Sequence, residues 1–268
     1  MTLLALPDPF DFELSTGRFR AFGTDLANRL VDGVLHRAIG GREVRIRSAQ
    51  GGVDVTPLDD ETRPVVLKLL GAEFELEPFY SWAAERQPVI ADLTVKLAGF
   101  RPPLQPDPFE ALITSITAQQ VSLFSAVAIR NRLIQAFGVE VGQAWAFPVR
   151  ERIAAATRAE LVAIGLTRRK AEYAVDLARS ELDLHELATL EDDEVRERIT
   201  ALRGLGPWTA EWFLARHLAR PHAWPSGDLA LRKATDVLFG VEVVSLGAVL
   251  DPFQNLSAHY MLTGTLVP

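Results

Sequence analysis

One aspartate, Asp228, stands between the run Pro225-Ser226-Gly227 and a helical stretch that begins at Leu229. A carboxylate fixed there can offset positive charge building on a sugar ring, or take a proton from an attacking water. It can also cap the helix at Leu229, a role that aspartate fills through the orphan N–H groups of a first turn. The two roles are compatible, since capping would also orient the side chain. Upstream, Trp208 and Trp212 lie four apart on a helical stretch opened by Pro207, so both project from one face. Such a pair can be core, or it can grip an extruded base; an indole attracts a cationic ring by about 0.5 to 2 kcal/mol. Just before them, Gly204 and Gly206 leave the backbone bare. Their N–H groups and the following helix N-terminus can together hold a phosphate, which makes Gly204, Leu205, Gly206 and Thr209 candidate phosphate contacts.

The glycine pair spells a tight hairpin between an acidic helix ending near Ala201 and the Trp-bearing helix. With Pro207-Trp208-Thr209-Ala210, the segment Pro225-Ser226-Gly227-Asp228, and Pro108-Phe109-Glu110-Ala111-Leu112 leading to Ala118-Gln119-Gln120-Val121-Ser122, the chain resembles the helix-hairpin-helix DNA glycosylase superfamily. Within it, the 3-methyladenine DNA glycosylase II family is most similar. The likeness runs from Pro106 to the C-terminus and is fainter before that. It implies that Asp228 is the catalytic aspartate and Trp212 an aromatic pocket position, with Trp208 beside it. Relatives that also cut the strand place a lysine where Trp208 stands, and its amine forms a Schiff base with the sugar. The resemblance therefore implies a monofunctional glycosylase that releases alkylated bases such as 3-methyladenine from double-stranded DNA and leaves an abasic site. It implies no cofactor or metal, and a monomer that works on DNA in the cytoplasm.

Two departures from that family stand out. Gln120, with Gln119 beside it, falls where relatives push an apolar wedge into the gap left by the flipped base; an amide there can instead hydrogen-bond the unpaired base. Phe253-Gln254-Asn255 replaces a common aromatic-Arg-Ser run, so any arginine contact made there is missing. Two rival readings remain: an oxidised-base glycosylase with AP-lyase activity, which Trp208 argues against, and a non-catalytic hairpin module, which has no need of Trp212 and Asp228. Lys170 is the nearest upstream lysine and reads as a surface or phosphate-facing residue.

The 268 residues carry 28 basic and 35 acidic side chains, a formal charge of −7, and no cysteine. That balance argues against indiscriminate binding to a polyanion. The lack of cysteine excludes disulfides, a cysteine zinc site and a cysteine-ligated iron–sulfur cluster. Acid gathers between residues 181 and 197, while residues 150–179 hold seven basic side chains, including Arg150, Arg152, Arg158 and Lys170, a face able to meet a duplex or simply be solvated. The histidines show no metal spacing, and no run of about 18 apolar residues suggests a membrane span.

The elements needed to position these groups make an α+β chain that is predominantly α: a small antiparallel sheet with helices over residues 1–87, then an all-helical glycosylase domain over 88–268. Alternation predicts strands at Phe10, Phe12 and Leu14, at Val44 and Ile46, and at Val53 and Val55 after the Gly51-Gly52 turn. Helical spacing follows over residues 59–70 and 79–100. Helix starts are read at Asp107-Pro108-Phe109-Glu110, Thr157 with Glu160, Thr189 with Asp192, and Asp251-Pro252-Phe253-Gln254.

Overall fold

The computed structural model describes residues 2–266. Its sheet is five-stranded and antiparallel: β1 (Thr2–Ala5), β2 (Asn28–Val31), β3 (Val34–Ile39), β4 (Arg42–Ala49) and β5 (Gly52–Thr56), in spatial order β1-β5-β4-β3-β2. The expected strands at residues 44–46 and 53–55 pair directly, with Ile46 opposite Val55. Inward side chains Leu35, Val44, Ile46, Val53 and Val55 form a core with Val66 and Leu69 of the helix Thr62–Leu69.

The alternation at Phe10, Phe12 and Leu14 does not make a strand. Phe12–Thr16 is a short helix whose N-cap, Asp11, accepts the Leu14 N–H at 2.8 Å. A side chain that captures a backbone donor three residues on favours a helical turn over an edge strand. Two expected helix starts also fail. The acidic helix Asp192–Thr200 has Glu191 at its N-cap, with no side-chain cap, and Thr189 instead closes the 3-10 turn Glu186–Thr189. The C-terminal helix Gln254–Gly264 begins after Phe253, while Asp251 receives Gln254 Nε2 and pairs with His222. Thr157 and Glu160 do form a full capping box, and Asp107 caps Pro108–Ala118.

The rest is helical apart from one short hairpin, β6 (Val139–Val141) with β7 (Ala144–Ala146). One core gathers the helices Pro108–Ala118, Leu123–Phe137, Arg168–Arg179, Asp192–Thr200 and Pro207–Arg216. A second gathers Leu76–Arg86 and Pro88–Lys96 with Leu229–Phe239, Val243–Val249 and the C-terminal helix. The junction expected at residues 87–88 is thus a single-residue link between two helices of that second core. No helix among the described residues is long and apolar enough to cross a membrane.

A buried ionic cluster ties the sheet to the helices. Glu110 accepts two bonds from Arg37 of β3 (3.1 and 2.6 Å) and one from Arg130 (2.6 Å). Arg130 also reaches Asp25 at 2.6 Å, and Arg37 reaches Asn28 at 2.8 Å. Glu110 thus forgoes the return bond of a capping box and spends its carboxylate between two guanidiniums instead. Burial works to raise its pKa, and the charges of Arg37 and Arg130 overcome this, holding it below the ordinary range.

Candidate active site

A cleft of about 1210 Å³ opens where the three cores meet, with Asp228, Trp208, Trp212, Gln119 and Gln120 among its lining residues. The turn Pro225-Ser226-Gly227, closed by Asp228 N–H donating to Pro225 carbonyl at 2.8 Å, delivers Asp228 to the N-terminus of the helix Leu229–Phe239. Each carboxylate oxygen then has a separate task. Oδ1 accepts the backbone N–H groups of Ala230 (2.9 Å) and Leu231 (3.0 Å), which is the helix cap. Oδ2 accepts the indole N–H groups of Trp208 (3.0 Å) and Trp212 (2.9 Å).

Four donors fill the roughly four lone-pair positions of a carboxylate. Burial works to raise the Asp228 pKa, but the Leu231 N–H, both indoles and the charge of Arg216 outweigh it and keep the group below its ordinary value. The arrangement holds a fixed negative charge with little capacity to accept a proton.

Trp212 is buried, and its ring is not an open stacking face. The Arg216 guanidinium lies 3.4 Å from its centroid, and His259 meets it edge-on at 5.7 Å. The cation over the indole is the protein's own. Sequence reading stopped one turn short here: Trp208, Trp212 and Arg216 continue the same i, i+4 stripe on the helix Pro207–Arg216. Arg18 is the other residue missed. It reaches the cleft from the short helix Arg18–Ala21, and no local pattern links it to Asp228 two hundred residues away.

The amides part company. Gln119 Nε2 donates to the Gly204 carbonyl at 2.8 Å, which ties the end of its helix to the hairpin. Gln120 is exposed with φ of 55°, followed by exposed Val121, Leu123 and Phe124, and Phe22 meets Phe124 edge-on at the rim. This apolar lip around Gln120 was not anticipated.

Within the hairpin, the four residues expected to contact phosphate are placed differently from one another. Leu205 and Thr209 are buried; Leu205 N–H donates to Leu202, and Thr209 N–H to Gly206, so neither faces outward with a free donor. The positive φ belongs to Gly204, at 86°, and a Cβ there would drive into the Tyr173 ring. Gly206 is extended, with φ of −108°, and a Cβ there meets no protein atom. A paired experiment therefore separates folding from binding. Gly204→Ala is expected to destabilise the fold by about 1 to 3 kcal/mol, the scale of a residue held in a sparsely populated backbone region. Gly206→Val should leave the melting temperature nearly unchanged while weakening the binding of undamaged duplex, measured by fluorescence anisotropy. Unchanged affinity in Gly206→Val would make the hairpin a helix connection only.

Three of the seven basic residues between 150 and 179 are committed to the fold, while Arg152, Arg158, Arg168 and Arg169 are exposed. Arg150 donates to the carbonyls of Ala178, Ser180 and Leu182, Arg179 to Ala154, and buried Lys170 to Thr117 at 3.0 Å. Lys170 does not line the cleft, whereas Lys233, one turn beyond Asp228, does. At the C-terminus, buried Asn255 donates to the carbonyls of Ala215 and Arg220, so the departure from the aromatic-Arg-Ser run anchors the end of the helix that carries Arg216. No group of three or more His, Cys, Asp or Glu able to hold a metal occurs among the described residues.

A helix–hairpin–helix beside an aspartate-capped helix and an aromatic cleft is the arrangement of a base-excision protein. Residues 113–244 match the family described as HhH-GPD superfamily base excision DNA repair protein. It is 28% identical to the DNA-3-methyladenine glycosylase of Bacillus subtilis (strain 168), over 97% of this chain and 95% of that one. The fold is similar to that of a 3-methyladenine DNA glycosylase from Archaeoglobus fulgidus: TM-score 0.86, 25% identity, 99% of this chain and 98% of that one. An 8-oxoguanine glycosylase/lyase from Clostridium acetobutylicum, in complex with double-stranded DNA, superposes with TM-score 0.79 over 96% of this chain and 91% of that one; at 17% identity it shares the fold alone.

Proposed function

We propose that the chain is a DNA glycosylase of base excision repair that removes alkylated bases by hydrolysis and leaves the strand intact. The names of its relatives support the substrate class. The observation that carries the mechanism is the carboxylate of Asp228, held ionised by two backbone and two indole N–H groups at the mouth of the cleft.

The C1′–N bond breaks with its electron pair leaving on the base, and the sugar acquires oxocarbenium character. Asp228 offsets that charge in a site with restricted water, where a fixed charge acts strongly. Water adds to C1′, and its surplus proton passes to solvent. Of the two roles a carboxylate can take here, charge stabilisation fits the four-donor environment and the low pKa, whereas proton abstraction does not. Gln120 and its apolar lip fit the space left in the duplex by the extruded base, and the bare backbone at Gly206 fits a phosphate. Trp208 occupies the place where a Schiff-base lysine would be needed, so strand cleavage is not expected.

The test is incubation with duplexes that each carry one defined lesion, followed by chromatography of released base and electrophoresis of the strand. Free alkylated base, a strand unbroken until alkali is added, and no adduct on borohydride treatment are expected. Spontaneous nicking with a trapped adduct would point to Lys233 as a nucleophile and overturn the hydrolytic reading. Tight duplex binding without any base release would leave a binding module.

A further inference from the structure

Two guanidiniums share the cleft with Asp228, and neither is paired to a carboxylate as the guanidiniums of Arg37 and Arg130 are. The Arg216 side chain forms no ion pair or hydrogen bond among the described residues; its Nε is buried without a partner, and its guanidinium lies over the Trp212 ring. Arg18, open to the cleft, is likewise without an ion pair. Burial pushes the Arg216 pKa well down and the charge of Arg18 adds to that, with Asp228 opposing. An arginine stays protonated regardless. Burial likewise lowers the pKa of His259, with Arg216 and Arg18 contributing, so its ring beside Trp212 is neutral.

We propose that this pocket selects uncharged bases bearing acceptor atoms on their edge, such as ethenoadenine or hypoxanthine, over cationic N-methylpurines, with Arg216 and Arg18 as the specificity-determining residues. The inference rests on the base-excision reading and deepens it. A cationic base gains from the Trp212 indole only if its face is free, and here Arg216 covers it. Such a base would also enter beside two positive charges, which costs it binding. An uncharged base leaves as an anion, because the C1′–N electron pair stays on it until a proton arrives from solvent. A guanidinium with unspent N–H groups, aimed into the cleft, can donate to the N or O atom on which that charge collects.

The experiment measures single-turnover release of ethenoadenine, hypoxanthine and 7-methylguanine by wild type, Arg216→Met, Arg216→Lys and Arg18→Met. Rates are taken relative to spontaneous loss, with melting temperatures to establish folding. Methionine keeps apolar cover on the indole but removes charge and donors. Arg216→Met is expected to slow the uncharged bases by about 10- to 100-fold, the worth of a hydrogen bond to a charged group, while 7-methylguanine release holds or rises. Arg18→Met should act in the same direction, and Arg216→Lys should restore part of the loss. Equal losses on both classes in a folded Arg216→Met would make Arg216 a packing support for Trp212 and overturn the proposal. So would a wild type that releases 7-methylguanine but neither uncharged base, which would leave base excision standing. Release of nothing by wild type would overturn both.

Discussion

Asp228→Asn is expected to slow base release by about 1,000-fold, roughly 4 kcal/mol of transition-state stabilisation, with duplex affinity within about threefold of wild type. The amide is not a silent replacement. Each Asp228 oxygen accepts two N–H groups, so wherever the new NH2 points it faces donors, either the indoles or the first turn of Leu229–Phe239. A loss of stability of about 1 to 3 kcal/mol should accompany the loss of rate. Rates must therefore be taken well below the variant's melting transition, with anisotropy reporting binding in the same samples. Near-normal turnover by a folded Asn variant would remove Asp228 from the chemistry.

The largest effect on stability is expected at Glu110. Glu110→Gln removes the one negative charge shared by Arg37 and Arg130 and turns an NH2 toward guanidinium donors, in a site that is 2% exposed. Breaking a buried ion pair from one side costs about 3 to 5 kcal/mol, a large part of the 5 to 15 kcal/mol typical of a folded domain. Because the folded pKa of Glu110 lies below its ordinary value of 4.5, its contribution is present above that value and is lost as pH falls through the folded pKa. Urea denaturation at pH 7 should therefore show the full loss in Glu110→Gln, and the gap to wild type should narrow in acid. A loss under about 1 kcal/mol at pH 7 would mean that Arg130 finds sufficient compensation in Asp25.

What could be read from the sequence was what is encoded locally. The hairpin, the caps at Asp107, Thr157 and Asp228, and strands β4 and β5 are set by neighbours within a few residues. Strand β3 was missed because His36 and Arg37 are buried in it, Arg37 for the sake of Glu110 and His36 against Glu43, so its polar and apolar residues do not alternate. The Asp32-Gly33 pair that turns β2 into β3, both residues with positive φ, is a strong hairpin signal that went unused. Asp228, Trp208 and Trp212, named from the sequence as candidates, line one cleft, but the sequence did not show that the indoles bind the carboxylate through their N–H edges. Spacing shows that two rings share a helix face; it does not show which edge meets a residue on another helix. Arg18 and Glu110 take their roles from partners on distant elements, and only the folded chain brings those together.

The central claim is that Asp228 acts as a charge held ionised by the indoles and the helix cap, and the pH dependence of single-turnover base release in wild type and Trp208→Phe tests it most directly. Arg18 and Arg216 stay charged throughout, and His259, with its pKa well below the ordinary histidine value, stays neutral near pH 7. Phenylalanine keeps the ring but removes one N–H from Oδ2, a bond to a charged group worth about 1.5 to 3 kcal/mol. Losing it should raise the carboxyl's pKa above that of the wild type. With spontaneous loss subtracted, the wild-type rate should hold to below the ordinary aspartate pKa of 3.8, and the acid limb of Trp208→Phe should lie at higher pH. Acid limbs that coincide in two folded proteins, or a rate that climbs as the carboxyl is protonated, would contradict the account.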